Sequence, residues 1–408
     1  MADNLVFYKE TEFKDTEIGK IPKEWDRAFL GEVSDVIMGQ SPPSDTYNRL
    51  KIGLPFLQGS AEFGQIHPEP TVYCADPIKI AKAGDLLISV RAPVGDVNLS
   101  NSAYCIGRGI AAVRPKETQF DTRFGFYYLK YSVKRLSSLG SGSTFKAIRR
   151  EELVRFLLVL PPVTEQKQIA TILSTIDEAI QKTDELIAKT ERFKKGVMKE
   201  LLTKGIGHKE FKDTEIGRIP KEWEIVKLKN IIIDIYYGIT AKAVTHSTDL
   251  RMLRTTDIKN YKVDWDNLLY CEITEKKNDI KRFLLEKDDL VIARAGTIGV
   301  SVLVEEDLKD VIFGSYLIKV KLNKKVNPKF LHYFLQSKIY WNQIMSNQAG
   351  STLKNIKLPT LLSLNIPLPP IQEQKKIAYI ISSIDEAIQK TDELIAKTER
   401  FKKGVMKE

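Results

Sequence analysis

The sequence predicts an α+β protein: two similar mixed α/β globular domains separated by two long helices that pair as an antiparallel coiled coil, the whole an internal repeat with pseudo-twofold symmetry. Three observations carry that reading. The string "IDEAIQKTDELIAKTERFKKGVMKE" at 176 to 200 recurs letter for letter at 384 to 408. "FKDTEIGKIPKEW" at 13 to 25 returns as "FKDTEIGRIPKEW" at 211 to 223. "GSTFKAI" (142 to 148) and "LPPVTEQKQIA" (160 to 170) return as "GSTLKNI" (350 to 356) and "LPPIQEQKKIA" (368 to 378). So long a period means duplicated domains, not a solenoid, and 408 residues exceed what one core usually serves. The opening match is offset by 198 positions (13 to 211) and the closing ones by 208 (160 to 368), so the second unit gains its extra residues between the Trp and the Gly-Ser-Thr. The predicted parts are a first domain over 1–160, a long helix over 161–204, a second domain over 205–368 and a second long helix over 369–408.

In chain order, Trp25 and Trp223 stand where each variable region begins and read as packing residues. "GDLLISV" (84 to 90) and "DDLVIA" (288 to 293) are apolar runs bounded by turn residues, which predicts buried strands. "RFGFYYLKYSVKRLSSLG" (123 to 140) and "KFLHYFLQSKIYWNQIMSN" (329 to 347) have helical spacing. After Pro161-Pro162 a helix can run from about Thr164 to Thr203. In heptad register its a positions are Ile169, Ile176, Thr183, Thr190 and Val197, its d positions Ile172, Ala179, Leu186 and Phe193, with Leu173, Ile180 and Ile187 widening the stripe. The second copy repeats these as Ile377, Ile384, Thr391, Thr398 and Val405 against Ile380, Ala387, Leu394 and Phe401. Only about ten residues link the first helix to the second domain, too few to travel back along it, so the two helices are expected to run antiparallel. About 38 residues at ~1.5 Å rise make a spacer of about 57 Å, or some 17 base pairs of B-DNA at ~3.4 Å each.

A formal net charge of +10 favours a polyanionic partner, nucleic acid before an acidic membrane. With no apolar run of spanning length and no signal-peptide core in "MADNLVFYKETEF", a cytoplasmic location is expected. Cys74, Cys105 and Cys271 are odd in number and lack a CxxC pair, as idle thiols in a reducing compartment would be. The histidines are scattered and nothing resembles HExxH, so no metal site is expected; "EKK" at 275 to 277 imitates a nuclease site only faintly.

Two different domains at the ends of a spacer suit a split DNA sequence with an unread middle, and identical helix faces suit two copies of one partner. Ser143, Thr144 and Lys146, repeated as Ser351, Thr352 and Lys354, place hydroxyls, backbone amides and a cation at a turn. That set fits a phosphate, or equally a helix N-cap. Arg91 and Arg294 leave strand ends beside Gly-rich turns, where an Arg fork can bond a guanine edge or form a structural ion pair. Relative to Asp85 and Asp289 they are displaced by one position, so their roles need not match. Gln40, Ser41, Gln58, Ser60 and Arg108 in the first domain, and Arg251, Arg254, Thr255 and Thr256 in the second, are further candidates for base readout or loop support.

The plan of "IPKEW", Gly-Asp strand, "GST", "LPP" with "EQ" and a long helix, all duplicated, resembles the specificity subunit of Type I restriction-modification systems along the whole chain. The resemblance implies two target-recognition domains that each read half of a bipartite asymmetric site in double-stranded DNA. It also implies two adenine-methyltransferase subunits clasping the helices, restriction subunits joining them, and no catalysis in this chain. S-adenosylmethionine, ATP and Mg then belong to the partners. The motifs agree: both Pro-Pro pairs follow Leu and precede Val or Ile, without the amide and aromatic an amino-methyltransferase needs, and no GxGxxG in strand–helix context or GxxxxGK[ST] occurs. The alternative is a coiled-coil scaffold holding two identical protein partners without sequence-specific readout.

Overall fold

A computed structural model describes residues 12–140, 147–273, 277–346 and 355–406, with the side chains of 277–279 excepted. Ser143, Thr144, Lys146, Ser351, Thr352 and Lys354, as well as Glu275 and Lys276, lie outside the described residues. Contacts divide the chain into two compact units, Met1–Thr183 with Ile395–Glu408, and Asp184–Leu394.

In the first unit a hairpin (Phe13–Thr16 with Gly19–Pro22) leads to the strand Asp26–Phe29, which pairs antiparallel with the closing strand Leu157–Leu160. Between them stands an antiparallel sheet in the order Val97–Leu99, Leu86–Ser89, Ile110–Pro115, Ser34–Met38. A second sheet has the order Tyr47–Asn48, Tyr73–Cys74, Leu54–Leu57, Tyr104–Ile106, Ile80–Ala81, with one parallel pair, Cys105 opposite Phe56. The strand Leu86–Ser89 is buried on both faces: Leu86 and Ile88 enter one core and Leu87 another. Alternate residues meeting two apolar cores explain a continuous apolar run where a half-exposed strand would alternate.

The second unit repeats this plan. The strand Glu224–Lys227 pairs with Asn365–Leu368, and one sheet runs Ile232–Tyr237, Leu317–Leu322, Leu290–Ala293, Ser301–Leu303. The other runs Lys242–Val244, Tyr270–Glu272, Arg251–Leu253, Val311–Phe313. Leu290 and Ile292 again face one core, Val291 and Ala293 the other. Each stretch predicted as one helix is two: Thr122–Tyr131 with Val133–Leu139, and Pro328–Phe334 with Lys338–Ser346.

Two long helices, Val163–Lys204 and Ile371–Val405, follow the closing strands. Within the second unit Lys194 pairs with Asp385 at 2.6 Å, while Met198 and Leu202 share a core with Ile377 and Ile381. One index rises as the other falls, so these two segments run antiparallel. In the first unit Lys402 pairs with Asp177, and Val405 and Met406 pack on the core that holds Ala170 and Leu173.

The buried stripe lies one residue beyond most of the predicted a and d positions, taking in the predicted flank residues Leu173 and Ile180 and the a position Ile377. Gln166, Ala170, Leu173, Asp177 and Ile180 are buried on the first helix, and Gln374, Ile377, Ala378, Ile381, Ser382 and Ile388 on the second. The a positions Ile169, Ile176, Thr183, Thr190, Val197, Ile384, Thr391, Thr398 and Val405 are half-buried, as is Ile172. The remaining d positions, Ala179, Leu186, Phe193, Ile380, Ala387, Leu394 and Phe401, face outward, with Phe193 63% and Phe401 61% exposed. The apolar stripe is broad, and the face turned inward carries Gln and Asp, which a hydrophobic template reads as solvent-facing.

Those polar residues join each domain to its helix. Gln166 donates Nε2 to the carbonyls of Pro161 and Gln119 and accepts the N–H of Asp121 on Oε1; Gln374 does the same with Pro369, Lys325 and Asn327. Asp121 and Asn327 in turn cap the helices that begin at Thr122 and Pro328. Indole Nε1 of Trp25 donates to Glu165 at 3.0 Å, and that of Trp223 to Glu373 at 3.1 Å. Tyr127 donates to Asp177 and Tyr333 to Asp385, both at 2.9 Å, and each carboxylate also meets its lysine, Lys402 or Lys194. Burial, then the adjoining carboxylate, pushes both phenols well above the usual range.

Candidate nucleic-acid interface

In the first domain the strand Ser34–Met38 ends at Gly39, whose N–H reaches the carbonyl of Ile110 at 2.9 Å, and Gln40 N–H reaches Ile106 at 3.0 Å. The turn Gly107–Gly109 bonds back through Gly107 N–H to Leu57 (2.8 Å) and through Arg108 N–H to Ser41 Oγ (3.2 Å). A Cβ on Gly39 would lie 2.2 Å from the Gly107 carbonyl oxygen, so only glycine allows this backbone contact. Val90 N–H bonds Gly109, and Arg91 bridges to Ala147. Gln40, Ser41, Gln58, Arg91 and Arg108 are thereby gathered from four separate segments. Ser60 opens the adjoining short turn, closed by Glu62 on the Gly59 N–H. Gln40, Gln58, Arg91 and Arg108 are exposed.

The second domain builds the same turn with other side chains. Ile239 N–H bonds Phe313, Gly314 N–H bonds Leu253, and a Cβ on Gly238 would lie 2.1 Å from the Gly314 oxygen. Arg294 N–H bonds the Tyr316 carbonyl as Val90 bonds Gly109, and Ile356 N–H bonds Arg294 as Ile148 bonds Val90. Arg294 therefore occupies the place of Val90, and Ala295 that of Arg91. Successive residues of an extended strand point opposite ways, so Arg91 and Arg294 are not equivalent.

The arginines of the second domain divide sharply. Arg251 bonds both oxygens of Asp310, at 2.6 and 2.8 Å, and Arg254 both oxygens of Asp257, at 3.0 and 2.6 Å. These hydrogen bonds push both guanidinium pKa values above the usual range, and the forks predicted for base readout are occupied by carboxylates inside the fold. Arg294 is different: its guanidinium lies over the Tyr237 ring at 4.8 Å, and its Nε is buried without a hydrogen-bond partner. An unmet buried donor costs about 1–3 kcal/mol; among the described residues Asn98 Oδ1 and Asn365 Oδ1 are also buried without a partner. Thr255 lies beside it through the Thr297 hydroxyl and Gly296, and Thr256 is exposed. Tyr237 and Tyr316, 42% and 64% exposed, complete the cluster. Neither was singled out from the sequence; the signal was the alignment of "YYG" with "IMG" and of "FGSY" with "IGRG".

At the opposite ends of the strands that lead to Arg91 and Arg294, Asp85 binds Arg114 at 2.7 Å, whereas Asp289 faces the ammonium of the buried Lys319 at 3.6 Å. Burial lowers the pKa of Lys319 and raises that of Asp289. Among the described residues no group of three or more His, Cys, Asp or Glu side chains is arranged to hold a metal ion, and no helix is long and apolar enough to cross a membrane.

Residues 22–192 and 220–400 each match the Type I restriction modification DNA specificity domain. The chain belongs to this family. As a specificity subunit it is 45% identical over 198 residues to the putative type I restriction enzyme MjaX specificity subunit of Methanocaldococcus jannaschii, a match spanning 48% of this chain and 47% of that protein. It is 28% identical to the MjaVIII specificity subunit of the same organism across 98% of this chain and 96% of that one. With the EcoBI specificity subunit of Escherichia coli it shares 24% identity over 89% of this chain and 80% of the other. The fold is that of solved specificity subunits: the S subunit from M. genitalium superposes with a TM-score of 0.57 at 14% identity, covering 94% of this chain and 95% of that one. A chain from a type I R-M system gives 0.59 at 17% identity over 95% and 97%.

Proposed function

We propose that each globular domain of this specificity subunit reads one half of a bipartite site in double-stranded DNA, and that partner subunits perform the chemistry. The observation that carries this is the turn cluster: one backbone, hydrogen bond for hydrogen bond, holding Gln40, Ser41, Arg91 and Arg108 in one domain and Arg294, Tyr237 and Tyr316 in the other. A scaffold kept for stability alone has no need of different exposed side chains on the same turn; two readers of unlike half-sites do. The net charge of +10 supports phosphate contact, to which Ser143, Thr144, Lys146, Ser351, Thr352 and Lys354 would contribute.

The outward Leu186 and Phe193, matched by Leu394 and Phe401, offer the same apolar stripe twice. Two copies of one adenine-methyltransferase subunit fit that pattern, with restriction subunits joining the complex and S-adenosylmethionine, ATP and Mg held by these partners. Such an assembly works on DNA in the cytoplasm. The long helices would set the unread gap, so matched insertions between Ile176 and Phe193 and in the second helix should lengthen it and leave both half-sites intact.

The test exchanges residues 26–141 for those of another specificity subunit, co-produces the chain with its methyltransferase, and maps the modified adenines. One half of the methylated motif should change and the other stay. Two changed halves, or binding that discriminates no sequence and ignores salt, would instead favour a scaffold without readout.

A further inference from the structure

Within that reading, we propose that Arg294 is the guanine reader of the second domain, with Tyr237 as the shelf that holds its fork in plane. Three features of the molecule point to a base edge as the ligand. The Arg294 backbone is tied on both sides, through its N–H to Tyr316 (2.9 Å) and its C=O to the Ile356 N–H (2.8 Å), so the side chain leaves from a fixed point. Its guanidinium lies 4.8 Å from the Tyr237 ring centre, and an aromatic shelf confines a flat cation to one plane. A phosphate makes little demand on that plane. The O6 and N7 acceptors of guanine lie side by side in the base plane and do require it.

The third feature is what the group lacks. Arg251 and Arg254 of the same domain each bond both oxygens of an aspartate, while the Arg294 Nε is buried with no partner, beside two tyrosines that stay exposed. The domain thus holds a half-buried guanidinium beside exposed tyrosines that no carboxylate among the described residues pairs. In the first domain the same backbone position is Val90, only 2% exposed, and Arg91 and Arg108 stand at neighbouring points of the turn. The two domains therefore present their forks at different places on one scaffold, and the letters they read fall at different places in the two half-sites.

The experiment selects bound duplexes from a random 30-base-pair library, using the full chain in complex with its methyltransferase subunit. Wild type should yield two words and a gap, with a guanine in one word. Arg294→Gln should lower the preference for that guanine by roughly five- to 150-fold, the range of one bidentate contact, and leave the other word unchanged. Arg294→Lys keeps the charge but not the fork and should behave like Gln. Tyr237→Ala removes the shelf and should lower the same preference by roughly two- to fivefold, and an unchanged preference would overturn the shelf's part in the proposal. If Lys restores the preference, or if both variants weaken all sequences alike, Arg294 is a phosphate contact and the proposal falls. It falls equally if both variants keep the guanine. Thermal midpoints separate a folding defect from lost readout. A wild-type selection without two words would sink the bipartite reading itself, whereas two words untouched by Arg294 substitution would sink only this assignment.

Discussion

The joints that tie each domain to its long helix and the turns that present candidate readers teach opposite lessons about duplication. At the joints, side chains and bonds are both kept: Gln166 and Gln374 make the same three hydrogen bonds, and Tyr127–Asp177–Lys402 matches Tyr333–Asp385–Lys194. At the turns only the backbone is kept. Gly39 against Gly107 and Gly238 against Gly314 hold the same contact, while the side chains around them change from Gln, Ser and Arg to Arg and two Tyr. A buried polar joint tolerates no partial change, because each group left unpaired costs about 1–3 kcal/mol. An exposed side chain on a backbone-bonded turn can be exchanged at little cost to the fold.

The joints themselves are unequal in depth, and substitutions expose this. Trp223 is fully buried against Met198, Leu202 and Ile377, whereas Trp25 is half-exposed. Trp223→Ala should cost about 3–5 kcal/mol and Trp25→Ala about half that. Hydrogen exchange at Leu290–Ala293 and at Leu86–Ser89 reports each unit separately, and equal losses would contradict the difference in packing. Asp385→Leu and Asp177→Leu should then cost the same, about 2–3 kcal/mol each, by orphaning a tyrosine and a lysine. Unequal values in denaturant unfolding would break the equivalence of the two triads.

Acid should separate the units further. His332 precedes Tyr333 as Phe126 precedes Tyr127, so only the second unit has a titrating group there. Burial first, then the Lys194 and Lys329 cations opposed by Asp385, pulls His332 down to about 3, and Ser301 Oγ lies 3.3 Å from its Nδ1. A histidine whose folded pKa lies below its unfolded value of about 6.5 stabilises fully above that pH and loses the contribution as pH falls toward 3. Partial exposure reduces the effect, leaving about 2 kcal/mol lost by pH 4. His332→Phe should flatten the acid limb of the stability profile by that amount, and an unchanged limb would rule this out.

The smallest effect on stability belongs to the outward stripe. Phe193→Ala and Leu394→Ala should shift unfolding by less than about 0.5 kcal/mol while weakening methyltransferase capture in a pull-down. Ile180→Ala, one face away, should cost about 2–4 kcal/mol. Comparable losses at Phe193 and Ile180 would restore the predicted seam over the observed stripe.

Much of the fold was legible because its signals are local. The buried strands at 84–90 and 288–293 show as apolar runs between turns, and the helix after each Pro-Pro shows as unbroken periodicity. The inward edge of that helix was not legible, since the buried Gln166 and Asp177 count as polar and the outward Leu186 and Phe193 as apolar. At the candidate site, the sequence marked both Arg294 and Arg251, with Arg294 first. Only the fold shows that Arg251 is paired with Asp310, 59 residues away.

By itself, then, the amino-acid sequence determined that the chain is a duplicated domain-and-helix unit with kept joints and divergent middles. It could do so because repeats, turns and periodicity are written in neighbouring residues. Tertiary structure alone decided which face of each helix is buried and which guanidinium groups are already paired. Both depend on partners far away in the chain, where burial and pairing follow from geometry that no local pattern encodes.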